Sequence, residues 1–197
     1  MAISGPNDGG AGPLRGLAEI QAEMARGRSL PPVEKWNPAH CGRIDMRIAR
    51  DGAWYYMGTP IARPAMVRLF STILRREPDG EYVLVTPVEK VGIVVEDLPF
   101  LAVTMTRDGA EANQTLTFLT NVGDAVAAGA DHPLRFDHDA RTGEPRPSVH
   151  VRGRLEARLA RPVFYEVADL AAETAPQQGQ LGVWSGRQFF AIGPAAG

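Results

Sequence analysis

The alternation of apolar and polar side chains divides the chain into many short strands and few helices. Ile44, Met46 and Ile48 alternate with Arg43, Asp45 and Arg47, the period of a half-buried strand. Ala49-Arg50-Asp51-Gly52 supplies an Asp-Gly hairpin turn, and Ala53 to Met57 reads as the return strand. Ile61-Ala62-Arg63-Pro64 leads into a helix on which Met66, Leu69, Phe70, Ile73 and Leu74 form a broad apolar stripe, with Pro78-Asp79-Gly80 as its end. The runs Glu81 to Thr86 and Val91 to Val95, joined across Pro87, predict a second hairpin. Phe100 to Thr106 and Thr115 to Thr120 flank Arg107-Asp108-Gly109 and predict a third. Residues 121–131 read as a loop or short helix.

The last third repeats this grammar. Leu134 to Asp139 reads as a strand and Ala140-Arg141-Thr142-Gly143 as a turn. Val149 to Leu159 reads as one strand whose odd positions are Val149, Val151, Gly153, Leu155, Ala157 and Leu159, with every even position charged or histidine. Leu159-Ala160-Arg161-Pro162 opens a helix, and Gly179 introduces a closing pair of strands over 180–184 and 188–192. Three landmarks recur in order: the Ala-Arg-x-Gly turn, the aliphatic-Ala-Arg-Pro helix entry, and a glycine before a hairpin. The predicted fold is α+β, mostly antiparallel sheets with few helices, in two related strand-turn-strand-helix-hairpin units.

The expected segments are a flexible tail over 1–12 and an N-terminal part over 13–38. In that part a helix carries Leu14, Leu17, Ala18, Gln21 and Met24 between Pro13 and Gly27, and a proline-rich stretch is anchored by Trp36. The first unit spans 39–97, a connecting hairpin and loop 98–131, and the second unit 132–197.

Several runs then take on a further meaning. Trp36-Asn37-Pro38, Arg50-Asp51-Gly52-Ala53-Trp54-Tyr55, Gly58-Thr59-Pro60-Ile61-Ala62-Arg63 and Leu84-Val85-Thr86-Pro87-Val88-Glu89-Lys90 together resemble a bacterial domain-of-unknown-function family. The resemblance is strongest over 36–100 and extends more loosely across the second unit. It implies a bacterial cytoplasmic protein, and it brings no catalytic residues with it because the family has no established activity.

Composition narrows the function classes without choosing one. At 197 residues, 44% hydrophobic and 22% charged, the chain has enough apolar material for a sizeable core. A net charge of −2 and a pI near 6.1 give no overall pull toward nucleic acid or an anionic membrane. No window approaches the roughly 18 apolar residues of a membrane span, and one cysteine forms no internal disulfide. A reducing cytoplasm follows as the expected location. Exposed sheet edges would make a homodimer one way to cover them.

The candidate chemistry is sparse. Cys41 beside His40 invites a thiol nucleophile, although neighbours on an extended segment point opposite ways. Asp131, His132, Asp137, His138 and Asp139 cluster without a zinc or calcium spacing. Arg152, Arg154 and Arg158 share one strand face, where salt bridging competes with anion binding. Phosphate-loop and nucleophile-elbow motifs are lacking, so neither cofactor nor metal is assigned. The expected function is a noncatalytic ligand- or partner-binding module, suited to signalling, acting on an unidentified small molecule or protein. Its site is placed where the two units meet, with Arg63, Arg161, Trp54 and Tyr55 as ligand-binding residues. The alternative is a hydrolase using His40, carboxylates or a bound metal.

Overall fold

A computed structural model describes residues 14–26 and 29–195. The predicted tail over 1–12, Pro13 and Gly27 lie outside the described residues. The N-terminal helix α1 (Leu17–Ala25) precedes a single 3₁₀ turn at Val33–Lys35. The first sheet follows, with β1 (His40–Ile48), β2 (Trp54–Tyr56), β3 (Thr59–Pro60), β4 (Leu74–Arg76), β5 (Tyr82–Val85) and β6 (Lys90–Val95). Helix α2 (Pro64–Thr72) is inserted between β3 and β4. The second sheet contains β7 (Phe100–Asp108), β8 (Thr115–Thr120), β9 (Ala125–Ala127), β10 (Leu134–His138), β11 (Pro145–Arg152) and β12 (Leu155–Leu159). Helix α3 (Arg161–Glu173) and the hairpin β13 (Gln180–Ser185) and β14 (Gln188–Pro194) close the chain.

The two sheets share a plan. Each joins two three-stranded antiparallel meanders through one central parallel pair made of its first and last strands. The order is β3-β2-β1-β6-β5-β4 in the first and β10-β11-β12-β7-β8-β9 in the second. The fold is therefore α+β with two related units. The strands expected within 98–131 are hydrogen-bonded into the second sheet, where β7 takes the place beside β12. The closing hairpin consequently forms a separate two-stranded sheet, packed against α3 and β8.

Three sequence expectations are corrected. The helix expected through Leu74 stops at Thr72, and Leu74 opens β4 instead. Ile73 and Leu74 are fully buried either way, so apolar spacing could not locate the boundary. Pro78-Asp79-Gly80 consequently turns β4 into β5. Glu77 and Glu81 are bonded across the turn at 2.8 Å, and Gly80 adopts φ 92°. The strand expected over Val149 to Leu159 is a hairpin, β11 and β12, reversed at Gly153 with φ 53°. A two-residue turn alone would exchange odd for even positions, but a bulge between His150 and Arg152 shifts the register by one, so the odd positions stay inside although the chain reverses. Finally, the expected loop or helix over 121–131 contains the short strand β9.

Buried apolar residues of both sheets, all three helices and the closing hairpin form one continuous core. The free edges of the two six-stranded sheets are short, from two residues in β3 to five in β10. Edge strand β4 is also covered within the chain, because buried Arg75 donates to the Val33 and Trp36 carbonyls at 2.7 Å each. Pairing hazards at these edges are thus reduced without a second copy.

Candidate functional site

The hairpin turn at 49–53 is held locally, by Ala49 N–H to the Ala53 carbonyl at 2.8 Å and Ala53 N–H to the Asp51 carboxylate at 3.0 Å. It projects toward the loop between β8 and β9. Asn121 in that loop fastens the units together. Its side-chain amide donates to the Gly52 carbonyl at 3.2 Å, while its Oδ1 accepts the Leu101 N–H at 3.0 Å. Arg152 of β11 makes a second bridge. It donates to the Ser71 carbonyl in α2 at 2.7 Å and to Asp124 at 2.6 Å, with its guanidinium 5.0 Å from the Phe100 ring centre.

Beside these bridges lies a groove of about 500 Å³ whose walls come from both units. Residues 52–54, 60–62, 64–65 and 67–68 form one side and 121–123 the other. The α2 N-terminus borders it without a side-chain cap. Arg68 is the cation in the wall, and among the described residues it has no carboxylate partner. Trp54 belongs to the wall and is 2% exposed. Its ring stacks on Phe70 at 6.3 Å, and its Nε1–H is buried without an acceptor among the described residues.

The other sequence-derived candidates distribute differently. Tyr55 points to the opposite face of β2, where the Arg47 guanidinium sits 4.3 Å from its ring centre. Arg63 is the exposed N-cap residue of α2, and Arg161 is the exposed first residue of α3. Neither belongs to the groove wall. Asn121 and Arg68 carried no motif and were missed; only an unpaired cation on the outer face of the predicted helix hinted at Arg68.

The remaining clusters are engaged in local contacts. His40 faces Glu81 at 3.2 Å and accepts the Gly42 N–H at 3.1 Å, while Cys41 contacts the Ala39 carbonyl at 3.6 Å. The His–Cys neighbours therefore do not engage one another. Asp139 accepts the Arg141 and Thr142 N–H groups at 3.0 Å each, which together hold its carboxyl below the usual range. His132 stacks on His150, and both ring nitrogens of His150 meet carbonyls, of Asp131 at 3.0 Å and Gly153 at 2.9 Å. Among the described residues no three His, Cys, Asp or Glu side chains converge as a metal site would require, and no helix is long and apolar enough to cross a membrane.

The expected arginine row is salt-bridged and half-buried, with Arg154 exposed in the turn. Arg158 binds Asp97 through two hydrogen bonds of 2.9 Å, and Arg146 binds the same carboxylate. Burial pushes the Asp97 carboxyl up, but the hydrogen bonds and charges of Arg158 and Arg146 outweigh it and hold it below the ordinary range.

Comparison with known proteins agrees with this architecture. A solved DUF1285 family protein from Silicibacter pomeroyi DSS-3 is 51% identical, covering 88% of this chain and 94% of that one, with a TM-score of 0.79. A DUF1285 family protein from Shewanella baltica OS155 is 28% identical, covering 63% and 90%, with a TM-score of 0.50. No curated protein matches the chain. The model of the DUF1285 N-terminal domain, a domain of unknown function, matches residues 31–98, and that of the DUF1285 C-terminal domain matches 99–192. The boundary falls between the two sheets, and the chain belongs to the DUF1285 family.

Proposed function

We propose that this protein is a noncatalytic binding module whose ligand occupies the groove between its two units. The observation that carries this reading is a groove of about 500 Å³ walled by both units, within the size range of small-molecule sites and at the kind of position they favour. Arg68 and the uncapped start of α2 favour a ligand bearing negative charge, and the carbon-rich remainder of the wall suits an apolar body. Occupancy would be the output, as in a signalling module, because no nucleophile, base and orienting group converge here. A ligand spanning both walls would stiffen the junction.

Thermal unfolding against a panel of anionic metabolites tests the proposal. A ligand present at a hundredfold excess over its Kd should raise Tm by roughly 5–10 °C. Ala65→Trp, which places an indole in the groove from an exposed helix position, should abolish that rise. A panel without any shift, or a shift that survives Ala65→Trp, would refute the site.

A further inference from the structure

A second cavity, of about 300 Å³, opens between the start of α1 and the first sheet. Leu14 and Leu17 close one side, Met46 and Phe70 are its most deeply buried walls, and Tyr56, Ile61 and Met66 complete it. Apart from two thioethers and one phenol, every group in this wall is hydrocarbon. No carboxylate, amide or guanidinium enters it. A cavity walled in this way offers water at most the Tyr56 hydroxyl as a hydrogen-bonding partner, so an apolar occupant is favoured over solvent. Methionine at two of the walls lets the cavity adapt to an unbranched chain.

The segments that form the walls also carry charge. Arg15 lies between Leu14 and Leu17, and Arg63 between Ile61 and Met66. Both are exposed, and among the described residues neither side chain has a carboxylate partner. Glu89 is engaged by the Arg15 main-chain N–H, which ties the start of α1 to the turn between β5 and β6. The combination is a carbon-walled cleft whose bounding segments carry two exposed cations, Arg15 and Arg63, neither of them in the wall itself. It matches an amphiphile with a hydrocarbon chain and an anionic head, and its wall shares only Ile61 with that of the junction groove.

From this geometry we propose that the cleft binds a free aliphatic carboxylate, and a capacity of about 30 Å³ per small group limits its chain to roughly ten carbons. The chain would lie against Met46, Met66 and Phe70, and Arg15 and Arg63 would supply the charge that meets the carboxylate. The reading is independent of the junction groove, since Met66 belongs to this cleft alone.

Titration calorimetry of the full chain with hexanoate, octanoate, decanoate and dodecanoate, each below its micellar concentration, tests it. Affinity should rise about fourfold per added methylene and level off once the cleft is full, near decanoate. Met66→Trp, which fills the cleft, should abolish decanoate binding. Arg15→Gln combined with Arg63→Gln should weaken decanoate several-fold while leaving decanol unchanged. Absence of decanoate binding, affinity independent of chain length, or equal binding to Met66→Trp would each overturn the proposal. So would binding seen only after removal of residues 1–12, because that segment would then be the occupant. If Met66→Trp fails to fold, the chain-length series on the unaltered protein decides alone.

Discussion

The two sheets have the same strand plan but are secured differently, and the contrast is sharpest at Glu96 and Asp97, consecutive residues in the link between them. Glu96 turns to the first sheet, where it pairs with Arg47 and accepts the Arg50 N–H at 3.0 Å, and its side chain is 38% exposed. Asp97 turns to the second, where it sits between Arg146 and Arg158 at 9% exposure. The Arg50 N–H, then Arg47, hold Glu96 below the ordinary range, whereas Asp97 is held there against a burial penalty. Adjacent carboxylates of like charge thus have unlike weight, because solvent screens one and the protein interior sharpens the other. The helices diverge in a similar way. In the first unit α2 falls between the meanders, with the junction groove on one flank and the apolar cleft on another. In the second, α3 and the closing hairpin follow the completed sheet and pack over it.

Breaking the Asp97 cluster should have the largest effect. Asp97→Ala leaves half-buried Arg158 without its counter-charge and should cost about 3 kcal/mol of stability in denaturant unfolding, while Glu96→Ala should fall within experimental scatter. Equal effects would show that the two links are not differently buried. Next comes the fastening between units. Asn121→Ala removes both the donor to Gly52 and the acceptor for Leu101, for a loss of about 1–2 kcal/mol. Hydrogen exchange should quicken at the Leu101 amide ahead of the strand centres, and uniform change across both sheets would argue against a local fastening.

The smallest and most specific effect concerns acid. Because the Asp97 carboxyl is depressed in the folded state, its contribution is present above the unfolded value, about 3.9. That contribution is lost as pH falls through the lower folded value. Asp97→Asn should therefore flatten the decline in stability below about pH 4. An acid limb as steep in Asp97→Asn as in the unaltered protein would assign it to other carboxylates.

Much of the local structure was legible from residue order. The 49–52 and 140–143 turns, the two Arg-Pro helix entries and most strands follow from side-chain alternation and turn chemistry. At the helix entries Arg63 occupies the N-cap position of α2 without a side-chain cap, whereas Arg161 is the first residue of α3. The misread places were those where two structures bury the same side chains. Ile73 and Leu74 are interior whether the helix continues or a strand begins, and the reversal at Gly153 together with the bulge between His150 and Arg152 leaves the parity of Val149 to Leu159 intact. Of the four residues expected at the site, Trp54 stands in the groove wall. Asn121 gave no comparable signal, since its importance comes from a partner 69 residues away.

The strand-rich class, the recurring landmarks and the alternation over 43–48 and 149–159 come from residue order alone, because they depend on periodicity and on local backbone chemistry. Long-range packing sets the rest: β7 lies beside β12, the closing hairpin stands apart, and residues 52–54, 60–62, 64–65, 67–68 and 121–123 enclose one groove. Those outcomes depend on pairing between distant strands, where several partners satisfy the same alternation and the packing of the whole core selects among them.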